Sequence, residues 1–134
     1  MVALTRVYHF SAAHRLENSD LSPAANAALY GLCHRLHGHN YYLEVTVAGE
    51  PDPLTGMAAD LTRLDATVQD AILEQVDHHR LEEAPALAGV ITTGESLARA
   101  FWRVLAAALP EADLRQVTVV ETAKNRFDYR GEGS

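Results

Sequence analysis

His37-Gly38-His39, with His14 upstream in Phe10-Ser11-Ala12-Ala13-His14-Arg15 and a lone cysteine, Cys33, shortly before the pair, supplies residue types that hold metals and move protons. Successive side chains on a strand point to opposite faces, so histidines two apart project together, and the glycine between them leaves room for a close approach to the backbone. A third imidazole from a neighbouring strand would complete the three-nitrogen set of catalytic zinc sites, whose fourth position stays open for water or substrate. His14 is the candidate third ligand. Single histidines are commonly surface or hydrogen-bonded core residues, and an H-x-H pair alone is a weak pattern. Its weight comes from clustering: five of the seven histidines fall at His9, His14, His34, His37 and His39, beside the only cysteine. Imidazole-rich ligation suits zinc, copper, iron or nickel, so these residues alone do not name the metal.

The elements that must position them follow from length and pattern. With 134 residues and 48% apolar content, the chain is long enough for one core and too short for two ordinary ones, so 1–134 reads as a single domain. A formal charge of −7 and the absence of any Lys/Arg run argue against a nucleic-acid surface. Ten of the eleven cationic side chains are arginines, suited to gripping phosphate or carboxylate, and Lys124 is the single lysine. One cysteine makes no internal disulfide, Arg6 and His9 interrupt any signal-like run, and no segment approaches membrane-spanning length, so a reducing cytoplasm is the expected setting. There Cys33 is a free thiol: either a small buried hydrophobe or, beside cations, a reactive thiolate.

Residues 2–13 have strand composition around Val7, Tyr8 and Phe10, which puts His14 at a strand end. A polar stretch from Glu17 to Ser22 precedes an insertion helix with Ser22 as cap, Pro23 in its first turn and Gly31 as its stop. His39, Tyr41, Leu43, Val45 and Val47 alternate with polar residues as a half-buried strand, ended by Gly49 to Pro53. Asp60 caps a helix whose stripe is Leu61, Leu64, Val68, Ile72 and Val76; Thr93 caps a second, with Leu97, Phe101, Val104, Leu105 and Ala108, stopped by Pro110. Two closing strands are expected at Val117 to Thr122 and Arg126 to Arg130, followed by a frayed tail. In the first of these Glu121 shares a face with Val117 and Val119, and a carboxylate directed inward needs a partner.

With those residues in hand, the chain resembles the 6-pyruvoyltetrahydropterin synthase and 6-carboxytetrahydropterin synthase family over nearly its whole length. The resemblance rests on Phe10-Ser11-Ala12-Ala13-His14-Arg15-Leu16, Cys33 followed by His37-Gly38-His39-Asn40-Tyr41, Gly56-Met57, Asp77-His78-His79, Thr93-Gly94-Glu95, Glu121-Thr122 and Tyr129-Arg130-Gly131-Glu132. It implies an α+β tunnelling fold (T-fold) of ββααββ topology, a four-stranded antiparallel sheet covered on one face by two helices. It also implies a homo-oligomer, a trimer or a dimer of trimers, with active sites between subunits.

Carried over by motif, the resemblance makes His14, His37 and His39 ligands of Zn2+, Cys33 the general base, and Asp77 with His78 the pair in which a carboxylate orients an imidazole for proton relay. Glu95 and Glu121 match pterin anchors, because a fixed carboxylate accepts two parallel hydrogen bonds from an aminopyrimidine edge. Thr93 belongs to the same substrate-binding motif. Arg15, Lys124 and Arg126 are candidates for the triphosphate of the implied substrate, 7,8-dihydroneopterin triphosphate. The spacing Cys33-His34-Arg35-Leu36-His37 resembles the carboxy enzyme of 7-deazaguanine (queuosine) synthesis, whereas the long insertion before Cys33 looks like the animal pyruvoyl type that leads to tetrahydrobiopterin. The carboxy product is the favoured expectation and the pyruvoyl product the alternative. A non-catalytic pterin or metal-binding module, and a zinc hydrolase with Glu44 or another carboxylate as base, are the competing classes.

Overall fold

Two long antiparallel strands form the spine of the computed structural model, which describes residues 1–132. Strand β1, Val2–His14, pairs with β2, His37–Gly49, in an uninterrupted register from Val2 opposite Gly49 to His14 opposite His37. The strand beginning expected at His39 therefore starts at His37. Gly38 lets the strands lie close: a Cβ there would stand 3.3 Å from the Ala12 carbonyl oxygen. Between the strands lies the insertion, α1 (Pro23–Tyr30) followed by a 3-10 turn at Gly31–His34, capped by the Ser22 hydroxyl and ended by Gly31 as the sequence indicates. Its two ends are tied by Leu16 N–H donating to the Cys33 carbonyl at 2.8 Å.

After β2 the chain enters α2, Leu61–Val68, capped by Asp60, whose carboxylate accepts from Arg63 N–H at 3.0 Å. A π-helical turn, Gln69–Leu73, joins α2 to the short α3, Glu74–Val76. The stripe explains it. Leu64, Val68, Ile72 and Val76 step by four, and each such step runs about 40° ahead of a 3.6-residue period. The wider π turn rewinds that drift, so all four stay buried. Helix α4, Gly94–Ala108, is capped by the Thr93 hydroxyl and buries Leu97, Ala98, Phe101 and Leu105.

The sheet order is β3-β1-β2-β4-β5, with β4 at Asp113–Thr122 and β5 at Asn125–Tyr129. The four long strands are antiparallel, as expected. The fifth, β3, is a two-residue parallel addition, His79–Arg80 against Ala12–Ala13, too short to leave a periodic trace. Strand β4 also starts four residues before the expected Val117, because Leu114 pairs with Val47 beyond a bulge. Both helical segments bury their stripes with one sheet face, where Phe10 stacks on Tyr41 (centroids 4.8 Å apart) and meets Phe101 edge-on. The tail expected after Arg130 is in part anchored: the Glu132 carboxylate accepts from Arg103 at 3.1 Å. Ser134 and its predecessor lie outside the described residues.

Gly94, the first residue of α4, sits directly on β5, where an added Cβ would fall within the Phe127 ring. Glycine to alanine inside a helix ordinarily gains up to about 1 kcal/mol. Here Gly94→Ala is expected to lose about 1–3 kcal/mol through overpacking, read as a lower urea midpoint, and Phe127→Ala in the same chain to bring the combined loss below the sum of the two.

Candidate metal centre and surrounding site

The β1–β2 register puts His14 opposite His37 and Ala12 opposite His39, so three imidazoles share the helix-covered face at one end of the sheet. Their ring centroids lie 4.5 Å (His14–His37), 4.9 Å (His37–His39) and 5.2 Å (His14–His39) apart, and one ring nitrogen from each lies within 4.8 Å of the others. His9 and His34, counted in the sequence cluster, go elsewhere: His9 packs edge-on against Tyr42, and His34 faces Arg15 and the Leu16 carbonyl.

Hydrogen bonds at the far side of two of the rings decide which nitrogen each offers. His14 Nδ1 donates to the Thr92 carbonyl at 3.0 Å, with the Thr92 hydroxyl at 3.1 Å, which leaves Nε2 as the lone-pair atom. His37 Nδ1 donates to the Arg35 carbonyl at 2.6 Å, with the same result. His39 Nε2 is buried and has no hydrogen-bond partner among the described residues. A buried polar atom without a partner is costly, and a metal ion would satisfy it. The donor set thus fits a divalent ion with imidazole ligands.

Electrostatics supports the same reading. Burial, reinforced by the charges His37 and His39 would carry, lowers the pKa of His14; burial is likewise the largest cause lowering that of His39, with Glu121 opposing it. Neutral rings at neutral pH are metal ligands rather than cations. Tyr41, whose hydroxyl lies 3.3 Å from His14 Nε2, is held as a neutral phenol: burial raises its pKa, and the charges of Glu121 and Glu82 add to the effect.

Glu121 keeps the inward phase of Val117 and Val119 and lies at a bulge. In β4, Val120 pairs with Arg126 and Thr122 with Asn125, so Glu121 is the extra residue, and its charge acts on His14, His39 and Tyr41. Glu95 lies in the first turn of α4, lining a cavity with Arg99, Phe127 and Tyr129. Thr93 spends its hydroxyl oxygen on the cap, accepting from Ser96 N–H at 3.2 Å.

Asp77 and His78 are together but apart from the rings. Asp77 Oδ1 stands 3.0 Å from His78 Nδ1 and also accepts from Ser11 N–H at 3.0 Å, while His78 N–H donates to the Ser11 carbonyl at 2.6 Å. The pair caps the outer edge of β1, and His78 adopts a left-handed φ of 60° that presents its ring to solvent, 82% exposed. Cys33 is exposed on the 3-10 turn. Among the described residues no hydrogen bond or ion pair joins its thiol to the rings or to the Asp77–His78 pair.

Of the anion-binding candidates, Arg15 is engaged by His34 at 2.7 Å and Glu17 at 3.3 Å, and Arg126 by Glu44 at 2.8 Å; Lys124 is exposed at the β4–β5 turn. That ion pair also removes Glu44 as a metal-site base, since the residues flanking it, Leu43 and Val45, face the core with the rings and Glu44 therefore faces away. The sequence reading missed Thr92 and Glu82. Neither carries a spacing signal: Thr92 reads only as a second threonine before a helix that Thr93 already caps.

Comparison with known proteins agrees with this geometry. Residues 3–132 match the family described as 6-pyruvoyl tetrahydropterin synthase. The chain is 43% identical over 132 residues to the 6-pyruvoyl tetrahydrobiopterin synthase of Poecilia reticulata, covering 96% of this chain and 90% of that one. To the human 6-pyruvoyl tetrahydrobiopterin synthase it is 41% identical, covering 96% and 91%. The 6-pyruvoyl tetrahydropterin synthase structure from Caenorhabditis elegans superposes with a TM-score of 0.90 at 38% identity, covering 98% of this chain and 96% of that one. A 6-carboxy-5,6,7,8-tetrahydropterin synthase from Aquifex aeolicus is 26% identical, so the relatives favour the pyruvoyl alternative over the carboxy expectation. The chain is an α+β tunnelling-fold protein and belongs to the 6-pyruvoyl tetrahydropterin synthase family.

Proposed function

We propose that the chain is a zinc-dependent lyase that acts on 7,8-dihydroneopterin triphosphate, eliminates triphosphate and yields the 6-pyruvoyl product. The observation that carries this reading is its 41–43% identity to two relatives named 6-pyruvoyl tetrahydrobiopterin synthase, over at least nine-tenths of each, against 26% to the carboxy enzyme. The spacing Cys33-x-x-x-His37 favours a second reading, 6-carboxytetrahydropterin synthase, which releases acetaldehyde.

His14, His37 and His39 would hold the ion, each through the nitrogen left free by its partner or by burial. When bound, zinc supplies Lewis acidity towards the substrate's side-chain oxygens. Cys33, as thiolate, takes the carbon-bound proton. Asp77 fixes the His78 ring through Nδ1, so the outward Nε2 is the atom that gives or relays a proton. Glu121 and Glu95 accept from the aminopyrimidine edge, and exposed Lys124 is the better triphosphate contact than the already paired Arg15 and Arg126. Because Cys33 and the Asp77–His78 pair do not touch within one chain, this reading takes the active site to form between subunits of a homotrimer or a dimer of trimers. A cytoplasmic setting without nucleic-acid or membrane partners completes it; among the described residues no helix is long and apolar enough to cross a membrane.

Incubating the zinc-loaded protein with 7,8-dihydroneopterin triphosphate and identifying the product by mass spectrometry is expected to give the pyruvoyl compound. A carboxy product with acetaldehyde would transfer the assignment to the second reading, and unchanged substrate would leave only a binding module. Cys33→Ala is expected to lower kcat at least about 100-fold with zinc content unchanged.

The lowered pKa values set a pH dependence. A ring whose folded-state pKa lies below its unfolded value, 6.5, binds fewer protons when folded, so its contribution to stability is complete above 6.5 and is lost as pH falls through the lowered value. Urea unfolding of the metal-free chain is expected to show midpoints that fall as pH drops below 6.5, and His14→Gln to flatten that dependence.

A further inference from the structure

The His14 ring is held from behind by a chain of polar groups that ends on a carboxylate. Its Nδ1 lies 3.0 Å from the Thr92 carbonyl and 3.1 Å from the Thr92 hydroxyl, and that hydroxyl donates to Glu82 Oε2 at 3.4 Å. His14 and Thr92 are each 1% exposed, so water does not compete for the bonds between them. The other Glu82 oxygen, Oε1, accepts from the backbone N–H of Arg15 at 2.9 Å and from Arg80 Nε at 3.2 Å. Arg15 directly follows His14 at the point where β1 ends, and its N–H has lost its ladder partner. One carboxylate therefore fixes the backbone next to the ring, the strand beside it and the hydroxyl behind it.

We infer that Glu82 is a positioning residue for the metal centre, holding through Thr92 the orientation of His14 and reinforcing the tautomer that the Thr92 carbonyl sets. A carboxylate only accepts, so the Thr92 hydroxyl must spend its proton on Glu82 and turn a lone pair towards His14 Nδ1. Nδ1 then carries the hydrogen, shared between the Thr92 carbonyl and hydroxyl oxygens, and Nε2 keeps the lone pair that a metal needs. The inference rests on reading His14 as a ligand, but it makes a separate statement about the metal-free ring.

Glu82→Gln separates polarity from shape. Its amide oxygen can keep the Arg15 and Arg80 bonds, whereas the amide nitrogen now faces Thr92 as a donor. The hydroxyl is then free to donate towards His14 Nδ1 in competition with the Thr92 carbonyl, which weakens the preference for Nδ1–H. Two measurements on the full chain test this: 15N NMR of the histidine rings in metal-free protein, and Zn2+ affinity by chelator competition. Expected in the wild type is His14 as the Nδ1–H tautomer; expected in Glu82→Gln is a shift towards Nε2–H and a Zn2+ affinity about 10- to 100-fold weaker. Thr92→Val is expected to weaken Zn2+ by a similar factor, and Thr92→Ser and Glu82→Asp, which keep the polarity, to recover most of the loss.

An unchanged His14 tautomer in Glu82→Gln overturns the inference, and so does an affinity loss that only tracks a lower unfolding midpoint. A tautomer shift in Glu82→Gln in a protein whose wild type binds no Zn2+ upholds the positioning role and removes the metal reading instead.

Discussion

The pairing of β1 with β2 is the constraint on which the candidate metal centre depends. Three imidazoles converge because one strand supplies them two apart and the other supplies the third directly opposite the first of that pair. Side chains alternate along a strand, so a slip of one residue would send either set of rings to the opposite face and leave Phe10 and Tyr41 in solvent. Hydrophobic burial therefore fixes the register, since Phe10, Ala12, Tyr41, Leu43 and Val45 reach the core only in this alignment. Gly38 is part of the same constraint, as the place where the Ala12 carbonyl passes too near for a side chain to fit comfortably. The chemistry of the site is carried by the same alternation that builds the core.

Placing histidines at the end of that core has an electrostatic cost, and the surroundings turn it to use. Burial disfavours imidazolium at His14 and His39, so the rings are kept as neutral lone-pair donors. Backbone carbonyls then take the proton-bearing nitrogens of His14 and His37, which a flexible surface pair would not ensure. The negative charge that acts on His14 and His39 is Glu121, which alternation along β4 puts on the face of Val117 and Val119, at the bulge against β5. Because Val117, Val119 and Glu121 share that face, the carboxylate approaches the rings while the two valines stay in the core.

Elements governed by local periodicity were legible in the sequence: the long strands, the caps Ser22, Asp60 and Thr93, the helix stripes, and the shared face of His37 and His39. Features set by contacts between distant segments were not. The strand His79–Arg80 is two residues long and exists only because β1 offers an edge at Ala12–Ala13. The π turn follows from a stripe stepping by four, a regularity visible in Leu64, Val68, Ile72 and Val76 but easily taken for an ordinary helix. Glu82 and Thr92 escaped because a hydrogen-bond relay between an isolated carboxylate and a loop threonine has no characteristic spacing. The cluster of five histidines misled in part: His9 alternates to the open face of β1, and His34 lies on the 3-10 turn facing Arg15. Product preference depended on weighing a short cysteine-to-histidine spacing against a long insertion, and the relatives weigh with the insertion.

The Asp77–His78 pair shows what the chain maintains beyond its own packing. Non-glycine backbone at a left-handed φ costs on the order of 1–3 kcal/mol, and His78 adopts it with a ring that is 82% exposed and so gains little burial in return. What offsets the strain is backbone chemistry: Ser11 gives its N–H to Asp77 and its carbonyl to His78, so the turn completes the edge of β1 three residues before His14. Asp77 is thereby fixed from one side by the sheet and holds the imidazole on the other at 3.0 Å. A glycine at position 78 would relieve the backbone and keep both edge bonds, because neither uses the ring. Folding of the single chain therefore does not call for a histidine there; the side chain is presented for chemistry or contact outside the core that positions it.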